Sequence, residues 1–252
     1  MSDRKPLIAG NWKMFKTQDE AAETARQLAS KIAGVVDVEV MIAPPFTALA
    51  HVADVIRNSP VALGAQNLYW EKEGAFTGEI SPSMLVAAGC RFVIIGHSER
   101  RQYFNETDQT VNNKIKSAIT YNLVPVMCIG ETEIERETDQ TFSVLNKQLK
   151  IGLEGFTADS LTSLIIAYEP VWAIGTGKAA TAEIAQEVHA FIRSWIEKNF
   201  GNLLANTIRI LYGGSVKPDN VKELMHQPDL DGALVGGASL EADTFSQLVH
   251  YQ

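Results

Sequence analysis

Val124-Pro125-Val126-Met127-Cys128-Ile129 is a short β-like run, apolar throughout, and helical spacing follows it near residues 134–151. A strand with one face in water alternates apolar and polar residues. A run with no alternation is what a strand covered on both faces requires, as in a parallel sheet sheathed by helices. Outward from this unit the same pattern repeats. The β-like runs are Leu7 to Ala9, Val38 to Ala43, Val61 to Ala65, Phe92 to Ile95, Val124 to Ile129, Leu164 to Tyr168, Ile208 to Tyr212 and Gly232 to Val235. Helical stretches lie near 18–33, 46–58, 82–88, 107–121, 134–151, 182–200, 219–226 and 241–249. Two helix starts are well marked. Thr17-Gln18-Asp19-Glu20 has capping-box spacing, and Ser81-Pro82 sets an N-cap before a proline at the first helical position. Eight β-then-α units with no linker between them predict an α/β fold, a closed (β/α)8 barrel forming a single domain over residues 1–252.

Composition agrees with that size. The chain has 252 residues, 46% hydrophobic and 21% charged, ample for one large core. Its formal net charge of -8, with no block of lysine and arginine, argues against nucleic acid or an acidic membrane as partner. Cys90 and Cys128 stand far apart with no CxxC neighbour, so neither a disulfide framework nor a zinc site is expected. The first residues, Met1 to Pro6, carry no apolar stretch of signal-peptide length, and no run approaches the roughly 20 apolar residues of a membrane span. A cytosolic protein with reduced thiols is the expectation.

In such barrels the reactive groups sit where strands end, so the residues just beyond each run carry the functional information. The first run leads to Asn11-Trp12-Lys13, the fourth to Gly96-His97-Ser98-Glu99, and the sixth to Glu169-Pro170. Gly213-Gly214-Ser215 follows the seventh and Gly236-Gly237 the eighth. Singly, each has a plain structural reading: a solvated lysine, a satisfied histidine, an ion-paired glutamate, two glycine turns. Together, five of eight strand ends face one mouth with groups able to do chemistry or bind an anion. Glycine pairs let backbone N–H groups approach an oxyanion, and the loops after strands 7 and 8 are where barrels often bind phosphate. A phosphate-bearing ligand is therefore implied, held locally by dipoles and Lys13 despite the acidic whole.

These residues resemble one family over essentially the full chain, the triosephosphate isomerases. The resemblance rests on Gly10-Asn11-Trp12-Lys13-Met14, Gly64-Ala65-Gln66-Asn67, Gly74-Ala75-Phe76-Thr77-Gly78-Glu79 and Gly96-His97-Ser98-Glu99-Arg100-Arg101. The long string Ala167-Tyr168-Glu169-Pro170-Val171-Trp172-Ala173-Ile174-Gly175-Thr176-Gly177-Lys178 and Tyr212-Gly213-Gly214-Ser215-Val216 complete it. It implies a TIM barrel that interconverts dihydroxyacetone phosphate and D-glyceraldehyde 3-phosphate through an enediolate, without cofactor or metal. Glu169 would be the general base. His97 would act as a neutral electrophile, an arrangement for which this family is itself the standard example. Lys13 would supply positive charge and Asn11 a further hydrogen bond. Glu99 would orient Lys13, and Ser98 and Cys128 would support the site.

The resemblance further implies a lid loop over residues 170–180, with hinges at Pro170, Val171, Trp172 and at Lys178, Ala179, Ala180, and with Tyr212 as the latch. Gly175, Ser215, Gly236 and Gly237 would hold the phosphate. A loop over residues 66–79, carrying Tyr69, Trp70 and Phe76, would pack into the twin subunit of a homodimer with Thr77 at its tip. One departure is visible: many family members have proline after the threonine at the second hinge, where this chain has Thr181-Ala182-Glu183. A residue pre-set for the first helical turn is lost there, with slightly more hinge freedom as the expected result. Two rivals stand beside this reading. A pentose-phosphate epimerase would share the glycine pairs but bring metal ligands or another acid–base set, and an inactive phosphosugar-binding protein would have little reason to keep Asn11, Lys13, His97 and Glu169 together.

Overall fold

The computed structural model describes residues 4–173 and 180–252. Eight parallel strands close on themselves in sequence order: β1 (Leu7–Asn11), β2 (Glu39–Ala43), β3 (Val61–Ala65), β4 (Phe92–Ile95), β5 (Val124–Ile129), β6 (Ile165–Tyr168), β7 (Arg209–Tyr212) and β8 (Gly232–Val235). Closure is made by β8 against β1, with Leu7 opposite Gly232 and Gly10 opposite Val235. The helices are α1 (Gln18–Lys31), α2 (Leu49–Ile56), α3 (Pro82–Ala87), α4 (Ser98–Tyr103), α5 (Asp108–Thr120), α6 (Glu133–Glu137), α7 (Thr141–Gly152), α8 (Ala182–Phe200), α9 (Asn202–Thr207), α10 (Val221–Met225) and α11 (Ala242–Val249).

The apolar runs without alternation are explained by two cores that share the same strands. Leu7, Ala9, Met41, Phe92, Ile94, Val126, Cys128, Ile165, Ala167, Leu211 and their neighbours fill the barrel interior. Their strand partners Ile8, Val40, Ile42, Val93, Ile95, Met127, Ile166 and Ile210 point outward and pack beneath the helices. Each strand is therefore buried on both faces, and alternation between inside and outside is alternation between two hydrophobic environments.

Local signals worked where they were strongest. Glu20 accepts from the Thr17 N–H at 2.7 Å and from its hydroxyl at 2.8 Å, and Ser81 Oγ caps Met84 N–H at 3.4 Å. The single helix expected near 134–151 is two helices, α6 and α7. Thr132 and Glu135 form a capping box that fixes α6, and Asp139, at φ 56, takes the left-handed conformation that ends it. The short polar stretch from Ser98 to Gln102, which the sequence reads as a helical start just after His97, is α4, whereas the short helix α9 falls outside the expected stretches, too short for hydrophobic periodicity to register.

Candidate active site

The strand ends converge on a cavity of about 300 Å³ lined by Asn11, Lys13, His97, Glu169, Gly213 to Lys217 and Gly236 to Ala238. All five strand ends singled out from sequence contribute to it. At β1, the chain bends so that Lys13 adopts φ 51, a left-handed conformation that costs a non-glycine residue roughly 1–2 kcal/mol. The Lys13 N–H donates to Asn11 Oδ1 at 3.0 Å, and Gln66 Nε2 donates to the Lys13 carbonyl at 2.7 Å. Lys13 Nζ then meets Glu99 Oε1 at 2.6 Å, the pairing expected of an orienting carboxylate. With Asn11 Oδ1 committed to Lys13, the amide group of Asn11 is the side that can donate.

His97 is the N-cap of α4. Its Nδ1 accepts the Glu99 backbone N–H at 3.2 Å, so the hydrogen of the neutral ring resides on Nε2, which lies 2.9 Å from Glu169 Oε1. Burial disfavours the imidazolium; the Glu169 carboxylate against Nε2 more than offsets this and raises the ring's pKa in the present arrangement. A second proton would have to displace the Glu99 N–H from Nδ1, and once Glu169 turns away burial, the helix terminus and the Lys13 charge favour the neutral ring, against the Glu99 carboxylate.

Glu169, first residue beyond β6, is 2% exposed. Besides His97, its carboxylate takes the Ser98 N–H at 2.9 Å and lies 3.5 Å from Ser98 Oγ. Burial alone would raise its pKa, but the His97 ring, the Ser98 amide and Lys13 hold it below the ordinary value of 4.5. It is a carboxylate ready to accept a proton. Cys128 lies inside the barrel beside it, and burial, with the Glu169 charge adding, keeps that thiol well above its ordinary pKa, hence neutral.

The opposite wall is backbone. Among the described residues, the N–H groups of Gly214, Ser215, Gly236 and Gly237 form no hydrogen bond within the chain. Gly213 is required by close approach, since a Cβ there would lie 2.8 Å from Glu169 Cγ, whereas one on Gly236 would make only a tight contact, 3.3 Å from Cε of the flexible Lys13 side chain. Gly237 has open space at that position, so at this residue the absence of a side chain leaves room rather than relieving a clash. Asn220 secures the seventh loop, accepting the Lys217 N–H at 2.8 Å and donating to the Ser215 carbonyl at 3.1 Å.

Of the hinge and latch residues, Pro170, Val171, Trp172, Ala180 and Tyr212 are described, whereas Gly175, Lys178 and Ala179 lie outside the described residues. Val171 N–H donates to the Glu131 carbonyl at 3.0 Å, and Trp172 Nε1 donates to Glu131 Oε1 at 2.9 Å. Tyr212 is buried; burial pushes its hydroxyl up to about 12, against a lowering contribution from the Ala180 backbone. Thr181 caps α8 through Ile184 N–H at 3.3 Å without the proline. Thr77 is exposed, and in the same loop Tyr69 stacks on Trp70 with ring centroids 4.2 Å apart and meets Phe76 at 4.6 Å with the rings tilted by 42°, so these aromatic rings cover one another.

Sequence reasoning missed four polar side chains. Glu131 accepts from Tyr168 Oη at 3.0 Å as well as from Trp172, is fully buried, and has its pKa raised chiefly by that burial. It stands two residues beyond β5, so the strand-end rule applied to the fifth strand would have found it. Glu106 accepts the Gly96 N–H at 3.0 Å, immediately before His97, and pairs with Arg100 at 2.6 Å and Lys114 at 2.9 Å. Gln66 and Lys217 belong to loops whose contacts no local pattern encodes. No group of three or more His, Cys, Asp or Glu side chains among the described residues could hold a metal ion.

A family model described as triosephosphate isomerase matches residues 6–252. The triosephosphate isomerase of Geobacter metallireducens is 59% identical over 249 residues, covering 99% of both chains. That of Chloroflexus aurantiacus is 53% identical, covering 99% of this chain and 100% of its own. The crystal structure of triosephosphate isomerase from Bartonella henselae superposes with a TM-score of 0.89 at 41% identity, over 98% of this chain and 100% of that one.

Proposed function

The chain belongs to the triosephosphate isomerase family, and from that premise we propose how its residues divide the work of the reaction. The reaction is the glycolytic interconversion of dihydroxyacetone phosphate and D-glyceraldehyde 3-phosphate. Its difficulty is a weakly acidic carbon and an enediolate whose charge must be stabilised.

Glu169 is the base that takes the carbon-bound proton and returns it to the neighbouring carbon. A carboxylate whose oxygens are already engaged by His97 and Ser98 must exchange those bonds for the substrate, so substrate binding and release of Glu169 from Ser98 are one event. A positioned base contributes about 10²–10⁴-fold, and the remainder falls to groups that meet the developing negative charge. His97 Nε2–H donates to the substrate oxygen as a neutral electrophile, the role for which this family is the standard case. Lys13, held by Glu99 and Asn11, supplies fixed positive charge. The amides of Gly214, Ser215, Gly236 and Gly237 receive the phosphate, with the Gly175 amide completing the cradle when the lid over residues 170–180 closes, hinged at Pro170–Trp172 and Lys178–Ala180 and latched by Tyr212. Closure excludes water and so protects an intermediate that can otherwise lose phosphate.

The working enzyme is a homodimer of single-domain subunits in the cytosol. Met14, Phe15, Phe76, Tyr103 and Phe104 are exposed apolar side chains from the segments next to Lys13, from the loop over residues 66–79 and from α4, and they support burial against a twin subunit. The two cysteines are buried free thiols, in keeping with a reducing compartment.

The observation that carries the residue assignment is the 2.9 Å contact between Glu169 and His97 Nε2 beside four backbone amides that form no hydrogen bond among the described residues. A coupled isomerisation assay with phosphoglycolate tests it. Turnover with competitive inhibition is expected; noncompetitive inhibition would detach the phosphate loops from the catalytic pair, and a fully active monomer at micromolar concentration would remove the dimer.

A further inference from the structure

Gly130 lies one residue beyond β5, and a single side chain takes both of its backbone polar groups. Gln148 Oε1 accepts the Gly130 N–H at 2.9 Å, and Gln148 Nε2 donates to the Gly130 carbonyl at 3.0 Å. Gln148 belongs to α7, in the outer ring, and lines no part of the substrate cavity. The peptide it clamps lies directly against the base. Glu169 N–H donates to the Ile129 carbonyl at 2.7 Å, and a Cβ on Gly130 would fall 1.7 Å from the Glu169 carbonyl oxygen and 2.7 Å from its carbonyl carbon. The two backbones are in contact with nothing between them, so the position of one sets the position of the other.

The same peptide leads into Glu131, whose carboxylate takes Tyr168 Oη and Trp172 Nε1 and whose carbonyl takes the Val171 N–H. The segment 129–131 thus touches the residues on both sides of Glu169. We propose that Gln148 is a positioning residue for Glu169: by fixing both polar groups of Gly130 it holds the platform on which the base and the first hinge of the lid rest. This rests on Glu169 being the base. Without Gln148 the Gly130 amide and carbonyl would exchange to water and the peptide would gain freedom to tilt, while proton abstraction from carbon tolerates little misplacement of the base.

The test uses Gln148→Leu, which removes both bonds at similar size, and Gln148→Glu, which keeps an acceptor for the Gly130 N–H but cannot donate to the carbonyl. For Gln148→Leu, kcat is expected to fall about tenfold, with KM and phosphoglycolate affinity within about twofold of wild type. Gln148→Glu should fall between the two. The deuterium isotope effect on kcat, measured with substrate deuterated at the transferred position, should rise in both variants, because a misplaced base makes proton abstraction more nearly rate-limiting. A merely structural loss lowers the amount of active enzyme and leaves the isotope effect unmoved, so that result would overturn the proposal, as would wild-type kcat in both variants. If the leucine variant fails to fold, the glutamate variant carries the same test alone. Glu169→Gln, run in parallel, separates the premise: near-normal turnover there would remove the base itself, whereas an inactive Glu169→Gln beside unperturbed Gln148 variants would remove only the positioning role.

Discussion

The two ends of the barrel are built from the same eight strands and spend their polar groups in opposite ways. At the N-terminal end, Asp231 accepts from Arg4 Nε at 2.5 Å, Arg193 Nη2 at 2.7 Å and Ile210 N–H at 2.9 Å, and Glu39 is shared by Arg209 at 2.5 Å and Arg91 at 2.8 Å. Arg193 also reaches Asp229 at 2.6 Å and the carbonyls of Ala205 and Ile208. Charges are matched and donors and acceptors are used. At the C-terminal mouth, among the described residues, four amides form no hydrogen bond, Lys13 holds a left-handed backbone, and the buried Glu131 Oε2 has no hydrogen-bond partner. One end is saturated and the other is held short of saturation. A closed network gains stability by leaving nothing to react, whereas a site must keep donors available for charge that appears only during the reaction.

The comparison can be broken in four places. The largest effect belongs to Glu169→Gln, for which kcat should fall about 10³-fold while phosphoglycolate affinity and Tm stay close to wild type; a large drop in Tm would mean that the mouth is also structural. At the other end, Asp231→Ala removes the carboxylate shared by two guanidinium groups and leaves the Ile210 amide without its acceptor, and urea unfolding should register a loss of about 3 kcal/mol with unchanged kcat per folded molecule. Reduced kcat in that variant would couple the ends and dissolve the contrast.

Between them lies His189, fully buried in α8, with Nδ1 3.3 Å from the Asp229 carbonyl and Nε2 unpartnered among the described residues. Burial lowers its pKa from 6.5 to about 3. Between those values the unfolded chain binds a proton that the folded chain refuses, so this contribution to stability is complete above 6.5 and declines as pH falls. About 2 kcal/mol should be lost between pH 6.5 and 5, and His189→Gln should flatten that part of the urea-midpoint profile. A profile unchanged in the variant would mean that the acid sensitivity arises elsewhere. The smallest effect is Tyr212→Phe: if the hydroxyl latches the lid as proposed, kcat should drop severalfold, worth about 1 kcal/mol, with Tm unaltered. Equal losses in Tm and kcat would make Tyr212 a core residue.

How much of this was legible in the chain depends on whether the signal was local. Strand runs such as Val61 to Ala65 and Val124 to Ile129 coincide with β3 and β5 because burial on both faces writes itself into consecutive residues. Asn11, Lys13, His97 and Glu169 were recoverable since each sits at a strand end, and closing the barrel brings all strand ends to one mouth. The α6–α7 break was not, because Asp139 looks like any other polar residue until its backbone turns left-handed. Glu131 obeyed the strand-end rule yet looked like one charge among several in an acidic stretch.

The sequence by itself determined the eight-unit barrel, the family and the residues facing the mouth, since these follow from periodicity, caps and short motifs. Tertiary structure decided which partner each polar group has: Arg4 with Asp231, Arg209 with Glu39, Gln148 with Gly130, the Glu99 amide on His97 Nδ1. Many of those pairings join residues far apart in the chain, and a side chain's type states what it can bond, while only closure of the barrel states what it meets.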